Sequence, residues 1–243
     1  NTFQDDIKTD GDSAWAPIDQ NGNPIAGSNA GRGYFLFPTT NDKNGGWRRG
    51  AGTNVNANKY VVDPGSAYQT FFRNLKAAAL VLNKTNAIIA GTELGGFDTH
   101  SAQGGLTGAH PNLNRAIGWA IYGLYKYFSL YADRATWNNT IVVTLSEFGR
   151  TSRQNSDLGT DHAEASVMWV AGGAVKGYNA GNPSGVFNCH DTAGGIPWVP
   201  GNSGSMFQVG GSYLRRNTDF RSVLGEIIRE HLGATQNQLN RII

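Results

Sequence analysis

The sequence predicts an α/β fold, strands alternating with helices around a mostly parallel sheet, and three observations carry that expectation. Short apolar runs stand at Ala87–Gly91, Thr140–Leu145 and Ser166–Ala171, the middle one β-branched like an interior parallel strand. Longer segments with apolar residues three and four apart lie before, between and after them. Three clusters of acidic residues and histidines, Gly95–His100, Ser146–Thr151 and Gly159–His162, complete the pattern. Two of these lie behind an apolar run, where an open α/β sheet places the groups that hold its ligands.

Residues 1–60 are rich in Gly, Asn and Asp, with one solid apolar stretch at Tyr34–Phe37. So few apolar residues cannot bury a core of their own. This region is expected to be a loop-rich extension packed on a domain formed by residues 61–243, with Tyr34–Phe37 wrapping its surface or adding an edge strand. From Ser66 to Leu82 the residues Phe71, Phe72, Leu75, Ala78, Ala79 and Leu82 keep the spacing of a helix with one buried face, and Asn83 offers a stop. Ala87–Gly91 then reads as a buried strand, after which Gly95 and Gly96 allow a sharp turn before Asp98.

Pro111 to Tyr131 carries Leu113, Ile117, Ile121, Leu124 and Phe128 on one stripe, a long helix with Pro111 in its first turn. The strand at Thr140–Leu145 ends at Ser146-Glu147, and Ser166–Ala171 reads as a third strand. The glycine-rich stretch from Gly172 to Gly211 is a long irregular excursion, of a length that usually serves a site or a partner or else decorates the surface. Asp219 to Leu232 closes the chain with an amphipathic helix that stops at Gly233.

Composition narrows the function classes. Charged residues are only 16% of the chain, against 33 glycines and abundant Asn, Ser and Thr, a balance that points to a periplasmic or extracellular protein. The net charge of +2 comes from scattered Lys and Arg, with doublets only at Arg48-Arg49 and Arg215-Arg216, so no nucleic-acid footprint is visible. No apolar stretch approaches the roughly 20 residues of a membrane-spanning helix. The single cysteine, Cys189, cannot form an intrachain disulfide, so stability must come from the core and from any bound ion. Two glycosylation patterns, Asn83-Lys84-Thr85 and Asn138-Asn139-Thr140, are short enough to arise by chance.

The clusters carry chemistry of one kind. Asp98 and His100 are two positions apart, so in an extended backbone their side chains project on the same side and can converge on one ion. Asp161 and His162 are adjacent and project oppositely, which suits two neighbouring sites, or one site and the groups that orient its ligands. Glu147 at a strand end is a terminal or bridging ligand, and Arg150 is placed to clamp an anionic substrate oxygen. Carboxylates with imidazoles suit a divalent cation: zinc, manganese, magnesium or calcium. Each cluster alone has an ordinary explanation, such as a Glu147–Arg150 pair at a strand end. His231, in the last turn of the final helix, is accounted for by the helix dipole.

Gly95-Gly96-Phe97-Asp98-Thr99-His100, Val142–Thr151, Gly159-Thr160-Asp161-His162 and Asp219–Leu224, in that order, resemble the bacterial family called domain of unknown function 1501, related to the alkaline phosphatase and sulfatase superfamily. The resemblance runs from about Phe71 to Leu232. It implies a doubly wound, alkaline-phosphatase-like α/β fold with long Gly/Asn-rich loops, a metal site at the strand ends, and export. It puts Asp98, Glu147, Asp161 and His162 at ligand positions, with His100 as a further candidate. Glu147-Phe148 stands where phosphatases carry an Asp-His pair, a departure that bears on a second ion. The superfamily's first strand, with its Ser or Thr nucleophile, has no counterpart between Asn1 and Val62. The chain is therefore expected to be the carboxyl-terminal part of a longer protein, with the remaining part or another protein chain as partner.

Two functional readings follow. In the first, a divalent ion on Asp98, His100, Glu147, Asp161 and His162 activates a phosphate or sulfate ester, an anionic small molecule, while Arg150 steadies the transition state. Thr144, Ser146, Thr160 or a water on the ion are then the alternatives for the attacking group. In the second, the protein keeps the fold, with or without one structural ion, but no catalysis, and its Gly- and Asn-rich loops bind a partner or build a surface assembly.

Overall fold

Helical spacing of apolar residues becomes two packed helices in the computed structural model, which describes residues 36–37, 66–177, 185, 187 and 212–241. Helix α1 spans Ser66–Lys84 and helix α2 spans Ala109–Leu130. Phe71, Phe72, Leu75, Ala79 and Leu80 of α1 are buried, as are Leu113, Ala116, Ala120, Leu124, Tyr127 and Phe128 of α2, and the two helices pack together. Burying one large apolar side chain contributes about 1.5–3 kcal/mol, so these stripes account for the association. Leu36 and Phe37, buried as well, lie against α2: Trp119 Nε1 donates to the Leu36 carbonyl at 3.0 Å, and Phe37 meets Tyr127 edge to face at 6.1 Å. Gly123 is required there, because a Cβ at that position would stand 2.7 Å from the Leu36 carbonyl oxygen.

The ends of the two helices are tied by Asn83, which is fully buried. Its Nδ2 donates to Tyr127 Oη at 2.9 Å and to the Tyr131 carbonyl at 2.8 Å, while its Oδ1 accepts from the backbone N–H of Asp133 at 2.9 Å and of Ala135 at 3.2 Å. Both donors and both acceptor positions of the amide are thereby used. The first glycosylation pattern is thus a structural asparagine with no accessible amide. A 3₁₀ turn, Trp137–Asn139, follows, closed by a reciprocal Thr136–Asn139 capping box.

By its contacts the chain divides into Asn1–Thr99 with Gln103–Thr140, which holds these helices, and His100–Ala102 with Ile141–Ile243. This division falls inside the expected domain of residues 61–243. In the second unit β1, Ile141–Val143, pairs antiparallel with β4, Val170–Gly172, in the register Ile141↔Gly172 to Val143↔Val170. A second two-stranded antiparallel sheet joins β2, Gly149–Arg150, to β3, His162–Ala163. The unit ends in helix α3, Phe220–Glu226, a π turn over Ile227–His231, and helix α4, Gln236–Leu239. Asp219 caps α3 by accepting from the Arg221 N–H at 2.9 Å.

Two sequence expectations are corrected. Ala87–Gly91 forms no ladder with any described residue, and Ile88 and Ile89 are 74% and 71% exposed rather than buried. An apolar run becomes a buried strand only when a neighbour supplies the hydrogen bonds, and no described strand lies beside it. The strand after Thr140 is half-buried and pairs antiparallel; between β1 and β4 the chain makes the β2–β3 hairpin, not the helix that a parallel crossover needs. The final helix has the expected extent, capped by Asp219 and ending at Gly233 with φ +69°, its last turn being π from Ile227. Tyr34 and Phe35, Cys189, His190 and most of the Gly172–Gly211 excursion lie outside the described residues. None of the described helices is long and apolar enough to cross a membrane.

Candidate metal centre

The β2–β3 hairpin sets the geometry. Gly149 faces Ala163 and Arg150 faces His162, and the Thr151 N–H extends the ladder to the Asp161 carbonyl at 2.9 Å. The approach is close: a Cβ on Gly149 would lie 1.9 Å from the Ala165 carbonyl oxygen, so only glycine fits. In this register Phe148 and His162 are diagonal neighbours on one face, and their rings stack at 4.0 Å with planes 14° apart.

The loop between the strands brings in the stretch at His100. Asn155 is its centre: Nδ2 donates to the His100 carbonyl and to Asp161 Oδ1, both at 2.9 Å, while Oδ1 accepts from the backbone N–H of Asp157 at 3.0 Å and of Gly159 at 2.9 Å. The Ala102 N–H donates to the Asp157 carbonyl at 2.9 Å, and Ser101 bridges to Leu158. Leu158, with φ +60°, takes the left-handed conformation that this tight loop needs.

Asp161 Oδ1 lies 3.2 Å from His100 Nδ1. Hydrogen bonds from Asn155, and then from His100, hold the Asp161 carboxyl below the ordinary carboxylate range. An ionised carboxylate can only accept, so Nδ1 of His100 carries the hydrogen, and in the neutral imidazole the lone pair then stands on Nε2. This is the arrangement in which a carboxylate orients a ligating histidine.

Asp98 stands two residues before His100, and one donor atom from each of Asp98, His100 and His162 lies within 4.8 Å of the others. All three are exposed. The rings of His100 and His162 approach to 4.8 Å at 31°. Of the sequence candidates, then, Asp98, His100 and His162 come together, and Asp161 stands behind His100. Glu147 is exposed and outside this group. Arg150 donates from Nε to Thr160 Oγ1 at 3.0 Å and from Nη2 to the Thr160 carbonyl. Two imidazoles and one carboxylate are borderline donors, which suit zinc or another first-row transition ion better than calcium or magnesium, whose ligands are oxygens.

Beside His162 the surface forms a depression of about 590 Å³ lined also by Ala163, Glu164, Tyr213, Leu214 and Arg216. Arg216 and Glu164 pair across it at 3.1 Å. Sequence reasoning passed over Asn155, although Asn155–Gly159 has the composition of a turn in which an Asn side chain bonds the backbone two residues on. In the sequence Phe148 reads only as a departure from an Asp-His pair, and its stacking on His162 is not expected there.

A scan against protein-family models matches residues 51–182 to the family described as Protein of unknown function (DUF1501). No curated protein and no solved structure matches the chain. The match covers more than half of the sequence and takes in the Asp98–His100 stretch, the hairpin and His162, so the chain belongs to the DUF1501 family.

Proposed function

We propose that this protein holds a divalent transition-metal ion on Asp98, His100 and His162, and with it hydrolyses a phosphate or sulfate ester outside the cytoplasm. The observation that carries the reading is the convergence of two imidazoles and a carboxylate, one imidazole already oriented by Asp161. Bound there, the ion supplies Lewis acidity toward a phosphoryl or sulfuryl oxygen. The chain's own residues prepare the rest. Asp161 keeps the His100 Nε2 lone pair available, and Asp98 offsets part of the cation's charge. The depression beside His162 gives the organic part of the ester a berth, with Arg216 on its wall as the cation for a second anionic oxygen. The kinship with alkaline phosphatases and sulfatases, and the doubly wound sheet it implies, belong to the same proposal. Their support is the order of the motifs Gly95–His100, Val142–Thr151, Gly159–His162 and Asp219–Leu224 along the chain.

One set of observations favours the second reading, a non-catalytic assembly protein. Leu145, Val167 and Trp169, where the β1–β4 ribbon continues, are 62%, 49% and 54% exposed, and the Thr144 N–H donates to the Trp169 carbonyl at 3.0 Å. Apolar strand residues left open in this way are suited to cover by a protein partner. Elemental analysis of the purified chain, with turnover of an aryl phosphate and an aryl sulfate before and after chelation, separates the two. Chelator-sensitive turnover that His162→Ala abolishes supports the hydrolase. Metal-independent absence of turnover supports the assembly protein, with or without a bound ion, and absence of any ion overturns the hydrolase.

A further inference from the structure

His162 sits among three other planar groups. Its ring stacks on Phe148 at 4.0 Å, and the His100 ring lies 4.8 Å away. The Arg150 guanidinium lies over the same phenyl ring, with Cζ 5.6 Å from its centroid. Arg150 is anchored in turn: its Nε and Nη2 donate to Thr160, two residues before His162 on the facing strand.

The stack answers a physical problem. His162 is exposed, and the terminal torsion of an imidazole is broad, so a solvent-facing ring samples many planes and presents its nitrogen in few productive ones. A parallel phenyl face removes most of that freedom. Phe148 would be mobile in its turn, but a guanidinium within about 6 Å of its centroid holds it by cation–π attraction, and the planar fork of Arg150 is fixed by two bonds to one residue. The backbone register supplies the remainder, because Arg150 directly faces His162.

We infer that Phe148 and Arg150 are positioning residues that set the ring plane of His162 for the ion. The inference rests on the metal reading above, and it gives Arg150 a different task from the anion clamp expected of it. A clamp would touch the substrate and leave metal affinity unchanged. A positioning residue changes the affinity with no substrate present.

The test is calorimetric titration of the full chain with zinc alone. Phe148→Leu, which keeps apolar bulk but no ring face, is expected to weaken zinc binding about 10- to 100-fold, the usual effect of losing a group that orients a ligand. Phe148→Tyr keeps the face and should restore near wild-type affinity. Arg150→Lys keeps the charge but not the fork, and should weaken binding by releasing Phe148 even if the Leu variant folds poorly. Wild-type affinity in both Phe148→Leu and Arg150→Lys overturns this inference alone. Equal weakening in the Tyr and Leu variants overturns it too, since the ring face would then not matter. A wild type that takes up no zinc overturns the metal reading, and this inference with it.

Discussion

Replacing Asn83 with alanine removes four hydrogen bonds of 2.8–3.2 Å from a fully buried position. The four partners do not lose equally. Tyr127 is 2% exposed and Ala135 9%, so the Tyr127 hydroxyl and the Ala135 N–H cannot readily find water in exchange. Each unsatisfied buried group costs about 1–3 kcal/mol. Asp133 is exposed and Tyr131 half-buried, so their backbone groups recover most of their bonding from solvent. The sum is a loss of about 2–6 kcal/mol, dominated by two of the four bonds. Asn83→Asp should cost at least as much, because it puts a charge at a fully buried position and sets a carboxylate oxygen against the Tyr131 carbonyl. Urea unfolding followed by tryptophan fluorescence reads both, since Trp119 and Trp137 lie in the same unit. A loss below about 1 kcal/mol for Asn83→Ala would refute the claim that this amide joins the two helix ends.

Gly149→Ala forces a methyl to within 1.9 Å of the Ala165 carbonyl oxygen, so the β2–β3 hairpin must open. The expected cost is about 1–3 kcal/mol or more together with weaker zinc uptake, and an unchanged melting temperature would contradict the close approach. Asp219 has its carboxyl lowered to about 2 by its side-chain bonds to Arg221 and by the Arg221 N–H. A depressed carboxyl contributes stability that is fully present above its unfolded pKa of about 3.9 and is lost as pH falls through the folded value. Helical circular dichroism of Asp219→Ala should therefore differ from wild type at pH 5 but converge with it near pH 2, and a difference that persists in acid counts against the cap. Asp161→Asn should weaken zinc binding about tenfold yet leave one ion bound at saturation, whereas complete loss would make Asp161 a direct ligand.

Local patterns were legible and long-range ones were not. The spacing of Phe71, Phe72, Leu75 and Ala79 places α1 within two residues of its observed end, and the Leu113 to Phe128 stripe does the same for α2, because helix period is a property of neighbouring residues. The strand partners depend on residues far away in sequence. Ile141–Val143 carries no mark of whether its neighbour runs parallel or antiparallel, and Ile88-Ile89 carries none of whether a neighbour exists. At the site, the i, i+2 spacing of Asp98 and His100 was enough to bring them to one place. Adjacent Asp161 and His162 left two arrangements open; the Asp161–His100 bond, across sixty-one positions, is what places Asp161 behind His100. Phe148 became visible only through the Arg150↔His162 register, which no local pattern encodes.

The most direct test of the centre is X-ray absorption at the metal edge of protein loaded with one equivalent of zinc. The arrangement predicts a shell of nitrogen and oxygen donors at about 2.0–2.2 Å with the scattering of two imidazoles, falling to one in His162→Ala and unchanged in Glu147→Ala. A shell without imidazole, or one that His162→Ala leaves intact, would contradict it.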